Sequence, residues 1–151
     1  MLRLSKKADY GLIALMHLAS QETGRSASAK EIADLHTLPL PLLAKVLQKL
    51  TKQGFLVAEH GTNGGYRLAR EASSITALEV IDAIDGPVFL TSCSSTDSGC
   101  YQRSGCTARG PLKKIREDIL QLLSATTLLE MSAGGRSKPE LVNLTVAGRS
   151  L

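Results

Sequence analysis

The sequence of 151 residues predicts a mainly α-helical chain: a winged helix-turn-helix unit followed by one long C-terminal helix. Three observations carry that prediction. Apolar residues recur at helical spacing three times before residue 54, a glycine-rich hairpin follows, and a separate amphipathic run begins after residue 110.

The first helix is expected over about residues 5–20, where Ala8, Leu12, Leu15, Met16 and Ala19 form one stripe. Residues 22–26 read as a loop, with Gly24 free to take positive φ. Ser28 and Glu31 have capping-box spacing: the hydroxyl accepts from a free N–H while the carboxylate reaches back. They open a short helix over about 29–36, with Ile32, Ala33 and Leu35 inward. Residues 37–41 hold two prolines, which stop that helix and start the next, since proline fits a first turn. The helix over about 41–53 buries Leu43, Val46, Leu47 and Leu50, and Gly54 caps it. Strands at about 55–60 and 66–69 flank a loop, residues 61–65, whose glycines and Asn63 supply positive-φ positions. Thr76 and Glu79 repeat the capping box before a helix carrying Leu78, Val80, Ile81 and Ile84, which Gly86 and Pro87 end. Leu112, Ile115, Ile119, Leu122 and Leu123 mark the last helix, about 111–124. The chain thus divides at 1–86, 87–110, 111–131 and 132–151, the last a flexible tail.

Composition narrows the function. An aromatic content of 3% argues against a base-stacking platform for single strands, which needs exposed rings. Arg3, Lys6 and Lys7 precede the apolar residues 11–18 in the manner of an export signal, but Asp9 and His17 interrupt and the spacing is helical. No run reaches the ~18–20 apolar residues of a membrane span. Three cysteines cannot all pair within one chain, so a reducing cytoplasm is expected, where clustered thiols serve metals or redox chemistry.

Lys45, Gln48, Lys49 and Lys52 fall within one arc of the helix over 41–53, opposite its apolar face. Residues 40–70 also hold Arg67 and Arg70 against Glu59 alone, an excess of four positive charges and equal to that of the whole chain. A second helix of a helix-turn-helix fits the major groove, and a basic face there meets phosphates and base edges. Double-stranded DNA is therefore the expected partner. Lys45, Gln48, Lys49 and Lys52 are its candidate contacts, with Asn63, Gly64, Tyr66 and Arg67 of the hairpin entering the minor groove. The two-fold symmetry of a dimer would make the operator near-palindromic. Such a face on an isolated helix is ordinarily just solvated; the turn, the hairpin and the local charge together favour DNA.

Cys93, Cys100 and Cys106 have spacing Cys-x6-Cys-x5-Cys, with Gly99 and Gly105 just before the last two. Three thiolates in this polar window can wrap one soft metal centre. The paired knuckles of a zinc finger are absent. An iron–sulfur cluster (2Fe-2S or 4Fe-4S) normally needs a fourth ligand, with Asp97 local and Asp9, His17, His36 and His60 distant. Free thiols or one redox pair is the competing reading. No Cys/His pair with an orienting group supports an enzyme.

Residues 2–11, 38–41, 61–68 and 79–84, with the cysteine triplet, resemble the Rrf family of bacterial winged-helix regulators of the IscR and NsrR type. The likeness covers about residues 1–131 and is nearest the branch regulating SUF iron–sulfur assembly. The resemblance implies a homodimeric transcriptional regulator, paired through its long C-terminal helix, with a cluster on Cys93, Cys100 and Cys106. The IscR-type fourth ligand, a histidine three residues after the last cysteine, is replaced here by Arg109. The NsrR type uses an N-terminal aspartate of the partner subunit, and Asp9 stands at the matching place, so Asp9 ranks first. Ala44 replaces an acidic residue of IscR-type recognition helices, which implies a different operator preference. The alternative within this fold is a cluster-free regulator sensing oxidants or a small molecule through its cysteines.

Overall fold

The computed structural model of the chain describes residues 3–62, 64–91, 101 and 104–134. Asn63, Cys93, Asp97, Cys100 and the expected tail beyond Gly134 lie outside the described residues.

Helix α1 spans Lys6–Ser20, and Ser5 is its N-cap, the hydroxyl accepting from the Ala8 N–H at 3.1 Å. Helix α2, Ala29–His36, has the expected capping box: Ser28 Oγ accepts from Glu31 N–H at 3.1 Å, and Glu31 accepts from Ser28 N–H at 2.6 Å. Thr37 turns the chain with φ +54, and the Leu38 N–H closes onto Ala33 O at 2.9 Å. Helix α3, Leu40–Lys52, begins one residue earlier than expected, because Pro41 is as well suited to the second helical position as to the first. Gly54 follows it at φ +82.

Strands β1, Leu56–Glu59, and β2, Gly65–Leu68, pair antiparallel, with Leu56 opposite Leu68 and Glu59 opposite Gly65. β1 is shorter than expected, and β2 has the expected length but begins one residue earlier. Ala27 adds a bridge to Tyr66 through two backbone hydrogen bonds of 3.0 and 2.8 Å, which fastens the hairpin to the loop between α1 and α2. Of the loop glycines, Gly61 takes positive φ (+119) as expected, but Gly64 and Gly65 are needed for another reason. A Cβ on Gly65 would stand 2.5 Å from the Ala27 carbonyl, and one on Gly64 would stand 2.6 Å from Glu59 O.

A short 3-10 turn, Ala72–Ser74, leads into α4, Ala77–Asp85, which carries the second capping box and ends at Gly86. Helix α5 runs Arg109–Ala125, two residues longer at its start than expected, since Pro111 still lies in the first turn where its missing N–H has no partner. Residues 111–131 do not form one helix. The chain breaks at Thr126, and a third capping box, Thr127 with Glu130, opens α6, Leu128–Ser132. The Ala77 N–H donates to Thr126 O (2.9 Å) and the Leu128 N–H to Ile75 O (2.8 Å), pinning this return to the start of α4.

The core is one cluster. Leu15, Ile32, Leu43, Leu47, Leu50, Ile75, Val80 and Leu128 are fully buried, and among the described residues no polar or charged side chain is buried with them. Leu128, from the far side of α5, plugs a core otherwise built by the first 88 residues. Leu35, expected inward, is exposed instead, because the eight-residue α2 buries one side only, through Ile32 and Ala33. No described helix is long and apolar enough to cross a membrane.

Candidate nucleic-acid interface

Helix α3 is held by Leu43, Val46, Leu47 and Leu50, all buried, so it cannot roll about its axis. Lys45, Gln48, Lys49 and Lys52 are consequently presented together on its exposed face. Their commitments differ. Lys45 and Lys52 join no ion pair among the described residues. Lys49 Nζ instead donates to Ile84 O at 2.8 Å. That carbonyl belongs to the last turn of α4, which has no basic residue of its own and holds Asp82 and Asp85, so Lys49 supplies the cation the helix end lacks. This bond is not legible in the sequence, because its partners lie 35 residues apart.

The hairpin projects beside α3. Arg67 Nε donates to Glu59 Oε1 at 2.6 Å across the two strands, and this bond, then one from Ser26, holds the Glu59 carboxyl below the usual carboxylate range. Arg70 sits 3.4 Å from Glu79 and over the Phe55 ring, 5.2 Å from its centroid. Tyr66 is half-buried and packs on the core, so it braces the hairpin as well as lying on it. Gly64 is half-buried beside Gly61. The α3 lysines are thus grouped on one helix face, while Arg67 lies on the hairpin, paired with Glu59; Asn63 is outside the described residues.

The residues that precede the cysteines, Val88 and Phe89, follow the C-terminal end of α4. Ser5 donates its N–H to Asp85 at 2.9 Å and its hydroxyl to the same carboxylate. Arg116 of α5 donates Nε–H to Val88 O at 2.8 Å and lies over the Phe89 ring, 5.4 Å from its centroid. The start of α1, the end of α4, α3 through Lys49, and α5 therefore converge where the chain leaves for residues 92–100. Cys106 is half-buried, carries no disulfide and lies three residues before α5. Asp9 is exposed in the first turn of α1, where its charge also suits the helix dipole. Among the described residues no three metal-ligating side chains converge; Cys93 and Cys100 are not among those residues.

Helix α5 has no buried residue. Leu120 and Leu123 lean on the core, while Ile115 and Leu122 are 49% and 67% exposed, which leaves an apolar face uncovered on a single chain.

Comparison with known proteins agrees with this architecture. CymR, the global cysteine regulator of B. subtilis, is 27% identical with a TM-score of 0.75, over 88% of this chain and 98% of that one. The oxidized form of Staphylococcus aureus CymR is 26% identical (TM-score 0.69; 87% and 96% covered). T. potens IscR is 27% identical (TM-score 0.69; 91% and 92% covered). The Rrf2 family, described as iron-dependent transcriptional regulators, matches residues 4–134. With a core, a helix-turn-helix and a hairpin that all fall within that match, the chain belongs to the Rrf2 family of transcriptional regulators and is not an enzyme.

Proposed function

We propose that this Rrf2 regulator is a cytoplasmic homodimer that senses iron–sulfur cluster status and controls iron–sulfur assembly genes of the SUF type. The observation that carries the reading is the triplet Cys93, Cys100 and Cys106, set between the winged unit and α5 and next to the junction at Ile84–Phe89. Three thiols suit an iron–sulfur cluster, which supplies a centre sensitive to iron supply and oxidants. Cys106, half-buried and without a disulfide, is compatible with that donor set. Asp9, exposed near the start of α1, is the proposed fourth ligand, donated to the partner subunit. Lys45, Gln48, Lys49 and Lys52 face the major groove of a near-palindromic operator, Lys49 reaching a phosphate only by leaving Ile84 O. Asn63, Gly64, Tyr66 and Arg67 lie toward the minor groove. Ile115 and Leu122, with the half-buried Leu112 and Ile119, pair with the same face of a second copy. DNA affinity then follows the state of the cysteine segment only through contacts that differ between its two states.

Anaerobic purification with a visible spectrum and iron and sulfide analysis tests the cluster directly. Wild type is expected coloured, with iron and sulfide in equal amounts, and Cys100→Ala colourless. A colourless, iron-free wild type after attempted reconstitution supports a second reading, favoured by the likeness to CymR: a cluster-free regulator using the same cysteines as redox thiols.

A further inference from the structure

His17, in the last turn of α1, and His36, in the last turn of α2, face each other across the joint between these helices. His36 Nε2 lies 3.3 Å from His17 Nδ1, and the rings meet edge to face, their centroids 5.2 Å apart and their planes at 83°. That separation lies at the long end for a hydrogen bond between two rings. Two nitrogens bound to one tetrahedral zinc at about 2.0–2.1 Å stand about 3.3–3.4 Å from each other. We propose that His17 Nδ1 and His36 Nε2 are the two protein ligands of a zinc site that clamps α1 to α2.

Two further features fit. Gln21 pins the remaining nitrogen of His17, its Nε2 lying 3.0 Å from His17 Nε2. Gln21 Oε1 is buried and has no partner, so nothing on that side fixes which end of the amide meets the ring. With the oxygen toward it, His17 carries its proton on Nε2 and leaves Nδ1 bare, the arrangement that orients a ligating imidazole. Finally, His17 and Gln21 line an open cavity with Arg25, Glu31, Asp34 and Leu35, so the His17 side of the pair is open to water.

The charges facing the pair are Arg25 from the α1–α2 loop and Glu31 and Asp34 from α2. Asp34 is paired with Lys30 at 2.8 Å, so the charges nearly cancel and the imidazoles themselves supply the affinity. Imidazole selects zinc, copper or nickel over magnesium or calcium. Because no third His, Cys, Asp or Glu converges on the pair among the described residues, the remaining ligands are water. Occupancy would fix α2, which packs against α3, and so steady the helix-turn-helix. The site is independent of the cysteines and of what they hold.

The test uses the full chain with Cys93, Cys100 and Cys106 replaced by serine, so that thiolates cannot take the metal. Zinc chloride is titrated in, read by calorimetry and by the imidazole NMR signals. Single-site binding is expected, with the signals of His17 and His36 moving together and Tm rising by about 5–10 °C at a hundredfold excess over Kd. Affinity should fall more than tenfold in His36→Ala, a substitution at an exposed position, and again in His17→Gln. It should also weaken from pH 7.5 to 5.5 as protons compete for the same nitrogens. Absence of saturable binding below about 1 mM, or binding that both variants retain, overturns the proposal and leaves a plain hydrogen bond.

Discussion

Helices α3 and α5 are both amphipathic, yet they stand in opposite relations to the core. In 13 residues α3 buries Leu43, Val46, Leu47 and Leu50, whereas α5 in 17 residues buries none. The first helix is fixed by its own chain, and that immobility is what turns three lysines and a glutamine into one directed surface. The second has apolar residues on two sides, with only Leu120 and Leu123 resting on the core. An apolar stripe states that a face will be covered, but not by what. For α3 the cover is α1, α2 and α4; for α5 we assign it to a second copy.

The largest effects should separate these two fates. Leu47→Ala empties a site that is fully buried and should cost about 2–5 kcal/mol, abolishing DNA binding with the fold. Leu122→Glu, at a position 67% exposed, should leave the winged unit's stability nearly unchanged while sedimentation shows the dimer lost. A stable dimer in Leu122→Glu would break the contrast. Next in size is Gly65→Ala, which drives a Cβ into the Ala27 backbone at 2.5 Å. It should cost about 1–3 kcal/mol and expose the Tyr66 N–H to hydrogen exchange, since the Ala27 bridge must open.

Smaller effects sharpen the reading of α3 itself. Removing one phosphate contact makes the slope of log K against log salt shallower by about 0.9. Lys45→Met should show that change in full. Lys49→Met should show less of it, because Lys49 is engaged by Ile84 O at 2.8 Å. Equal changes would mean that the tie to α4 is released on DNA.

The smallest effect is that of pH on stability. His17 is held below its ordinary value, by burial first, so the unfolded chain takes up its proton more readily. Its contribution is present above pH 6.5 and is lost as pH falls below that value. The capping carboxylates Glu31, Glu79 and Glu130 are also depressed, each chiefly by a backbone N–H bond. Their contribution holds above the ordinary carboxylate range and disappears as pH falls through it. Urea titrations at pH 7.5, 5.5 and 3.5 should show two separate losses, the first absent in His17→Gln.

What was legible in the sequence is local. Ser28 with Glu31 and Thr76 with Glu79 announce their helices because a capping box is closed within four residues. Thr127 and Glu130 have the same spacing, and α6 went unexpected because the five-residue helix behind them has too little periodicity to read. The contacts that assemble the fold join distant positions: Ala27 to Tyr66, Lys49 to Ile84, His17 to His36, Arg116 to Val88. Each depends on packing that no short window encodes. The basic face of α3 was readable for the opposite reason, since a helix fixes the relative direction of its own side chains. Cys93 and Cys100 remain a reading of the sequence, being outside the described residues.

The central question is whether the cysteine segment governs how the winged unit holds DNA. Operator affinity, measured anaerobically at fixed salt for the cluster-loaded and the chelator-stripped protein, tests this most directly. The two forms should differ by about tenfold or more, and the variant with serine at Cys93, Cys100 and Cys106 should show no difference between the two treatments. Equal affinities for loaded and stripped wild type would contradict the account.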